Sequence, residues 1–207
     1  MSLRGDRVKL VPISTGHAAE LFAAGHGGDP LLWEYLPYGP FADVEEMRLW
    51  LAACAASQDP QFFAIVSQET GRAAGMASYL RFAPDHRVVE IGHIWFGAEL
   101  QRTPAATEAI YLMAAHAFEE LKVRRLEWKC DAGNERSRRA ADRFGFTFEG
   151  VFRQHMLVKD RNRDTAWYSL LDGEWPAVRA AFEAWLDEAN FDADGRQRSS
   201  LAELRAG

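Results

Sequence analysis

Residues Glu90 to Gly150 constrain the fold more than any other stretch, because they set strand, helix, strand and helix in close succession. Arg87 to Phe96 reads as a strand. The segment after Pro104 then repeats apolar residues at three- and four-residue spacing (Ile110, Met113, Ala114, Ala117, Phe118, Leu121), which is one buried helical face. Arg125 to Cys130 returns to strand. Asn134 is a good N-cap for a short helix in which Ser137, Ala141 and Phe144 share a face. Gly145 supplies the stop before the β-rich run Phe146-Thr147-Phe148. Strands alternating with helices in this way predict a mixed sheet flanked by helices.

The flanking segments extend the pattern. Val8 to Ile13 predicts a first strand, and Ser14 or Thr15 caps a helix carrying Ala18, Leu21 and Phe22 that stops at Gly25. Asp43 with Glu46 opens a second helix with Met47, Leu51 and Cys54 inward. Gln61 to Ser67 and Ala73 to Phe82 form a hairpin across Glu69-Thr-Gly-Arg72. Phe146 to Phe152, His155 to Lys159 and Trp167 to Leu171 add strand, with Lys159 to Arg163 as a turn. A last helix from about Asp172 buries Val178, Ala181, Phe182 and Trp185. Residues 1–190 are therefore expected to form one domain and residues 191–207 a loose polar tail.

Composition narrows the function. No run is apolar enough to span a membrane, the first residues do not read as a signal peptide, and a cytoplasmic location is expected. Cys54 and Cys130 offer neither a disulfide framework nor metal-ligand spacing, so no metal is expected. The net charge of −6 argues against nucleic-acid binding, but it is unevenly spread. Lys122 to Arg143 holds eight basic and four acidic residues, a surplus of four that leaves the remainder at −10. Such a local field suits a small anionic ligand better than a long polyanion; alternatively, Arg136, Arg139 and Arg143 form a solvated helix face.

Gln101-Arg-Thr-Pro-Ala-Ala106, followed by Thr107-Glu-Ala109, lies between a strand and the amphipathic helix, where free backbone N–H groups and a positive dipole end suit a pyrophosphate. Together with Asn134 to Gly150, in that order and spacing, it resembles the GNAT superfamily of acyl-CoA-dependent N-acyltransferases, in its RimJ/RimL-like branch. The resemblance covers about Arg7 to Trp185. It implies a mostly antiparallel α/β sheet with a V-shaped splay between the fourth and fifth strands, where acetyl-CoA lies as cosubstrate. The pattern departs from the family at Pro104, which stands where glycine is usual and has no N–H to donate.

The resemblance also implies roles for individual residues. Gln101, Arg102, Thr103, Ala105, Ala106 and Thr107 would hold the pyrophosphate, with Arg102 or Thr103 compensating for Pro104. Asn134 would hold the pantetheine arm, or serve only as the N-cap. The tyrosine that many relatives use as the thiol-side acid corresponds here to Ala141, so Ser137 is the expected partner of the CoA sulfur. Glu90 is the expected base, unless it pairs with an arginine across the sheet; His93 would point to the opposite face as a packed histidine. Trp33, Tyr35 and Tyr38 would line the acceptor side or fill core. The implied reaction is transfer of acetyl to a primary amine, either a protein N-terminus or a small amine, by an enzyme that could self-associate as a homodimer. The alternative is a non-catalytic domain that binds acyl-CoA or a partner.

Overall fold

The computed structural model describes residues 1–206. Eight strands form one sheet: β1 (Leu3–Arg4), β2 (Val8–Pro12), β3 (Gln61–Ser67), β4 (Ala73–Ala83), β5 (Val88–Phe96), β6 (Arg125–Asp131), β7 (Thr147–Val158) and β8 (Arg161–Leu171). Their order across the sheet is β1-β2-β3-β4-β5-β6-β8-β7. Six α-helices accompany them: α1 (Ala18–His26), α2 (Val44–Ala56), α3 (Pro104–Glu119), α4 (Glu135–Arg143), α5 (Trp175–Leu186) and α6 (Leu201–Ala206). α3 crosses from β5 to β6, so those two strands run parallel, while every other neighbouring pair is antiparallel.

The sheet separates two apolar cores. On one face Val89, Ile91, Leu126, Trp128 and Tyr168 pack with residues of α3 and α5. On the other face Ala64, Met76 and Trp95 pack with Leu21 of α1, Met47 and Leu51 of α2, and Trp33. The expected apolar faces of α2, α3 and α5 are therefore the buried ones.

The parallel pairing of β5 and β6 is brief. Val88, Val89 and Glu90 sit opposite Arg125, Leu126 and Glu127, and no pairing follows, although β5 continues to Phe96 and β6 to Asp131. The expected V-shaped splay is thus present and opens just past Glu90 and Glu127. Its strands are the fifth and sixth rather than the fourth and fifth, because two-residue β1 adds an edge that two residues of sequence do not announce.

Four local expectations are corrected. α1 does not stop at Gly25 but runs to His26; a Cβ on Gly25 would lie 2.4 Å from a Trp33 ring carbon, so this glycine makes room for the indole. β7 is one continuous strand, bulged between Phe152 and Met156. The β7–β8 turn contracts to Lys159 and Asp160, both in the left-handed region (φ 48° and 58°), as a two-residue hairpin turn requires. Residues 191–206 are not a loose tail. Leu201 is 1% exposed in the α3/α5 core, and Arg205 donates to the carbonyls of Arg143 (2.6 Å) and Asp142 (3.1 Å) at the end of α4.

α3 is fixed to the N-terminal strands by one carboxylate. Glu108 Oε2 accepts from the backbone N–H of Arg7 (2.7 Å) and Val8 (2.8 Å), and Oε1 from that of Asp6 (3.1 Å). The family-like Thr-Glu-Ala run thus contributes an anchor as well as a helix start.

Candidate active site

The turn before α3 meets a pyrophosphate's needs in part. Pro104 occupies the first helical position, where its missing N–H costs the helix nothing. Thr103 is the N-cap: its hydroxyl donates to Leu100 O (2.7 Å) and accepts from Ala106 N (3.4 Å). Both Thr103 and the Ala106 N–H are therefore already engaged, which leaves Thr103 unable to compensate for Pro104. Gln101 Nε2 donates to Phe96 O (2.8 Å) and shapes the turn. Thr107 is buried, and its hydroxyl accepts from Arg143 Nη1 (3.1 Å), so it joins α3 to α4 rather than facing the turn. What remains for an anion is the Ala105 N–H, free by helix geometry, and the exposed Arg102, which has no ion pair among the described residues.

Across the splay, Asn134 caps α4 by accepting from Ser137 N (3.0 Å) through Oδ1. Its cap role is real, and it leaves the amide nitrogen without a protein partner among the described residues. Ser137 Oγ accepts from Trp128 Nε1 at 2.9 Å. With that lone pair occupied, the hydroxyl proton turns away from Trp128 toward the Cys130 thiol, a weak acceptor that a stronger one can replace. Ala141 is fully buried, so the position of the usual tyrosine faces core.

On the α1/α2 face of the sheet the splay is lined by charge. Glu90 is 4% exposed, and its Oε2 meets Arg81 Nη1 (2.8 Å) and Lys129 Nζ (3.0 Å). Lys129 also contacts Glu127 (2.7 Å) and lies 3.8 Å above the Trp167 ring. Arg125 continues the ladder, joining Glu127 (2.7 Å) to Glu149, whose carboxyl its guanidinium pulls down to about 2. Glu90 thus does pair with an arginine, and Oε1 is its only oxygen free of protein donors.

His93 does not point to the opposite face from Glu90. Its φ of +52° lies at a bulge between β4 and β5, which breaks strict alternation. The imidazole consequently stacks on Tyr38 (5.6 Å between centroids) and packs against Phe62, both on the α1/α2 side. Burial lowers its pKa to about 4, with Arg81 and Arg163 adding to the effect, so the ring is neutral at pH 7.

The aromatic loop crosses above this region. Trp33 is core: it is 3% exposed and donates to Gly25 O (3.1 Å). Tyr35 reaches the β6–α4 turn, donating to Gly133 O (3.2 Å), and Asp29 pairs with Arg136 of α4. Lys159, at the hairpin tip, donates to Trp33 O (2.8 Å) and Gly39 O (2.7 Å). The loop is therefore held to both sides of the splay, and Tyr38 packs among Trp33, Phe41, Trp50 and His93 at the edge of the α1/α2 core. Arg81, Lys129 and Trp167 escaped the sequence reading, which gives Arg163 only a place in a turn. Alternation along β6 and β8 puts Lys129, Arg163 and Trp167 on one face, but only the sheet order brings that face to Glu90.

Among the described residues no group of three or more His, Cys, Asp or Glu could hold a metal ion, and no helix is long and apolar enough to cross a membrane.

Comparison with known proteins agrees with this geometry. Residues 7–147 match the acetyltransferase (GNAT) domain family. The crystal structure of a GCN5-related N-acetyltransferase from Brucella melitensis is 45% identical, with a TM-score of 0.98, covering 100% of this chain and 95% of that one. Bacillus subtilis YdaF, provisionally named a ribosomal N-acetyltransferase, is 35% identical over 51% of this chain and 57% of its own length. The ribosomal-protein-serine acetyltransferase of Escherichia coli is 28% identical over 46% of this chain and 52% of its own. The chain thus spans little more than half the length of these two curated relatives. With the splayed parallel pair, the turn before α3 and the capped α4 all in place, the chain belongs to the GNAT acetyltransferase family.

Proposed function

We propose that this protein is an acetyl-CoA-dependent N-acetyltransferase in which a primary amine attacks the thioester directly. The observation that carries the proposal is the Trp128–Ser137–Asn134 arrangement beside the splay: Trp128 holds the Ser137 oxygen, the hydroxyl proton meets only the weak acceptor Cys130, and the Asn134 amide nitrogen has no protein partner among the described residues. In this reading the pyrophosphate rests on the Ala105 N–H and Arg102, and Asn134 holds the pantetheine arm. The amine nitrogen bonds to the acetyl carbon, backbone N–H groups of the bulged β5 steady the oxyanion, and the C–S bond breaks. Ser137 donates its hydrogen bond to the departing thiolate. The proton lost by the amine is taken by Glu90 Oε1, directly or through water.

Both curated relatives are named for ribosomal acceptors, which makes a protein N-terminus one acceptor class; a small amine is the other. The test is Ser137→Ala, assayed by release of free CoA thiol and by calorimetric titration with acetyl-CoA. The expected result is a fall in kcat of about 10- to 100-fold with the dissociation constant changed less than about threefold. Equal loss in both would remove Ser137 from the chemical step, and absence of acetyl-CoA binding by the unaltered protein would overturn the activity itself.

A further inference from the structure

Five buried side-chain polar atoms lack a hydrogen-bond partner among the described residues: Tyr38 Oη, His93 Nδ1, Trp95 Nε1, Arg163 Nε and Trp167 Nε1. Buried polar groups are nearly always paired, so each such atom calls for an explanation. All five lie on the α1/α2 face of the sheet. Tyr38 and Trp95 belong to that core or pack against it, and His93 stacks on Tyr38. Trp167 lies beneath Lys129, and Arg163 follows Trp167 and Thr165 by alternation along β8.

Arg163 is the most telling of them. It is half-buried, yet among the described residues no carboxylate lies within 4.0 Å of it, whereas Arg81, Lys129 and Arg125 nearby are all ion-paired. Burial lowers its pKa, so the charge is held at a cost that Asp131, Cys130 and Glu90 offset only in part from a distance. An unpaired guanidinium with an orphaned Nε has the shape and charge for a planar carboxylate. Lys159 also ties the hairpin tip to the loop that carries Tyr38, which pins that loop across this side of the sheet.

We propose that the acceptor is a small amino-acid-like molecule, a primary amine with a free carboxylate a few bonds away, whose carboxylate sits on Arg163. This rests on the acetyltransferase reading and sharpens it. A zwitterion matches the charges: the ammonium faces Glu90 Oε1 while the carboxylate meets the unpaired cation. A polypeptide N-terminus has no carboxylate at that distance, and its chain would have to pass the pinned loop.

The experiment compares, in the acetyl-CoA assay, free amino acids with their amides and with the amines of the same side chain that lack the carboxylate. Peptides with the same first residue form a fourth arm. The expected result is that at least one free amino acid is acetylated with kcat/KM about 100-fold above its amide and its decarboxylated amine. Arg163→Gln is then expected to raise KM for that amino acid by about 30- to 100-fold, to change kcat little, and to erase the preference over the amide. Arg163→Lys, which keeps the charge but not the fork, is expected to recover part of it. Unchanged acetyl-CoA affinity, measured by calorimetry, checks that both variants remain folded. Equal turnover of acid and amide, acetylation of peptides alone, or acetyl-CoA binding with no free amino acid acetylated would each overturn the carboxylate subsite. The last two would leave the acetyl-CoA site standing, so failure here is distinguishable from failure of the activity.

Discussion

Glu108 offers a direct test of how the N-terminal strands are held. Its carboxylate is 4% exposed and takes three backbone N–H groups, at 2.7, 2.8 and 3.1 Å, with Arg7 Nη1 3.6 Å away. Val8 is fully buried, so its N–H has no water to turn to if the carboxylate is removed. Hydrogen bonds to a charged group contribute about 1.5–3 kcal/mol each, and leaving a buried donor unsatisfied costs about 1–3 kcal/mol. Counting the two short bonds fully and the exposed Asp6 bond lightly, Glu108→Ala should destabilise by about 3–5 kcal/mol. At about 2–4 °C per kcal/mol for a chain of this size, the melting temperature should fall by roughly 6–20 °C. Differential scanning calorimetry measures it. Gly5 provides an internal control, because a Cβ there would lie 2.5 Å from the Glu108 carboxylate. Gly5→Ala should therefore destabilise the unaltered protein and have almost no effect in the Glu108→Ala background, a strongly non-additive pair. A Glu108→Ala protein that melts within about 3 °C of the parent, or additive effects of the two changes, would refute the anchoring role.

Two further outcomes follow from the charged face. His93 has a folded pKa of about 4 against 6.5 when free. Its contribution to stability is complete above pH 6.5 and is lost as the pH falls toward 4, by at most about 3 kcal/mol. In urea titrations at pH 7.5 and 4.5, His93→Phe should narrow the difference between the two midpoints; an unchanged difference would mean that the imidazole is not held neutral by burial. Glu90→Gln should lower kcat/KM by about 100-fold or more, with acetyl-CoA affinity little changed. A rate within about threefold of the parent would leave Glu90 the task of positioning Arg81 and Lys129 instead.

The sequence showed most of the sheet, because its strands and helices bury faces at regular periods and their ends carry strong signals. Asn134 caps α4 and Gly145, at φ +93°, ends it, as local residue chemistry dictates. Elements governed by distant contacts were not legible. Gly25 looks like a helix stop until the Trp33 indole is placed against it, and the tail looks unstructured until Arg205 meets the end of α4. The site divides in the same way. Asn134 and Ser137 follow from local spacing, whereas Thr107 turned inward because Arg143, 36 residues later, takes its hydroxyl. His93 changed face through a bulge, which one extra residue produces without altering the composition. Arg163 could be recognised as unpaired only once every carboxylate in its neighbourhood had been located.

The fastening of α4 has a practical side. One end of the helix presents Ser137; the other is held by Arg205, more than sixty residues further along the chain. The Arg143 carbonyl, and that of Asp142, which also accepts from Gly145 N (3.2 Å), receive a cation there, at the negative end of the helix dipole. The last turn of the chain and the residue assigned to the thiolate are therefore opposite ends of one short lever. A purification handle fused behind α6 is therefore expected to loosen that end of α4 and lower turnover, and assays of otherwise identical proteins tagged there or before β1 check it.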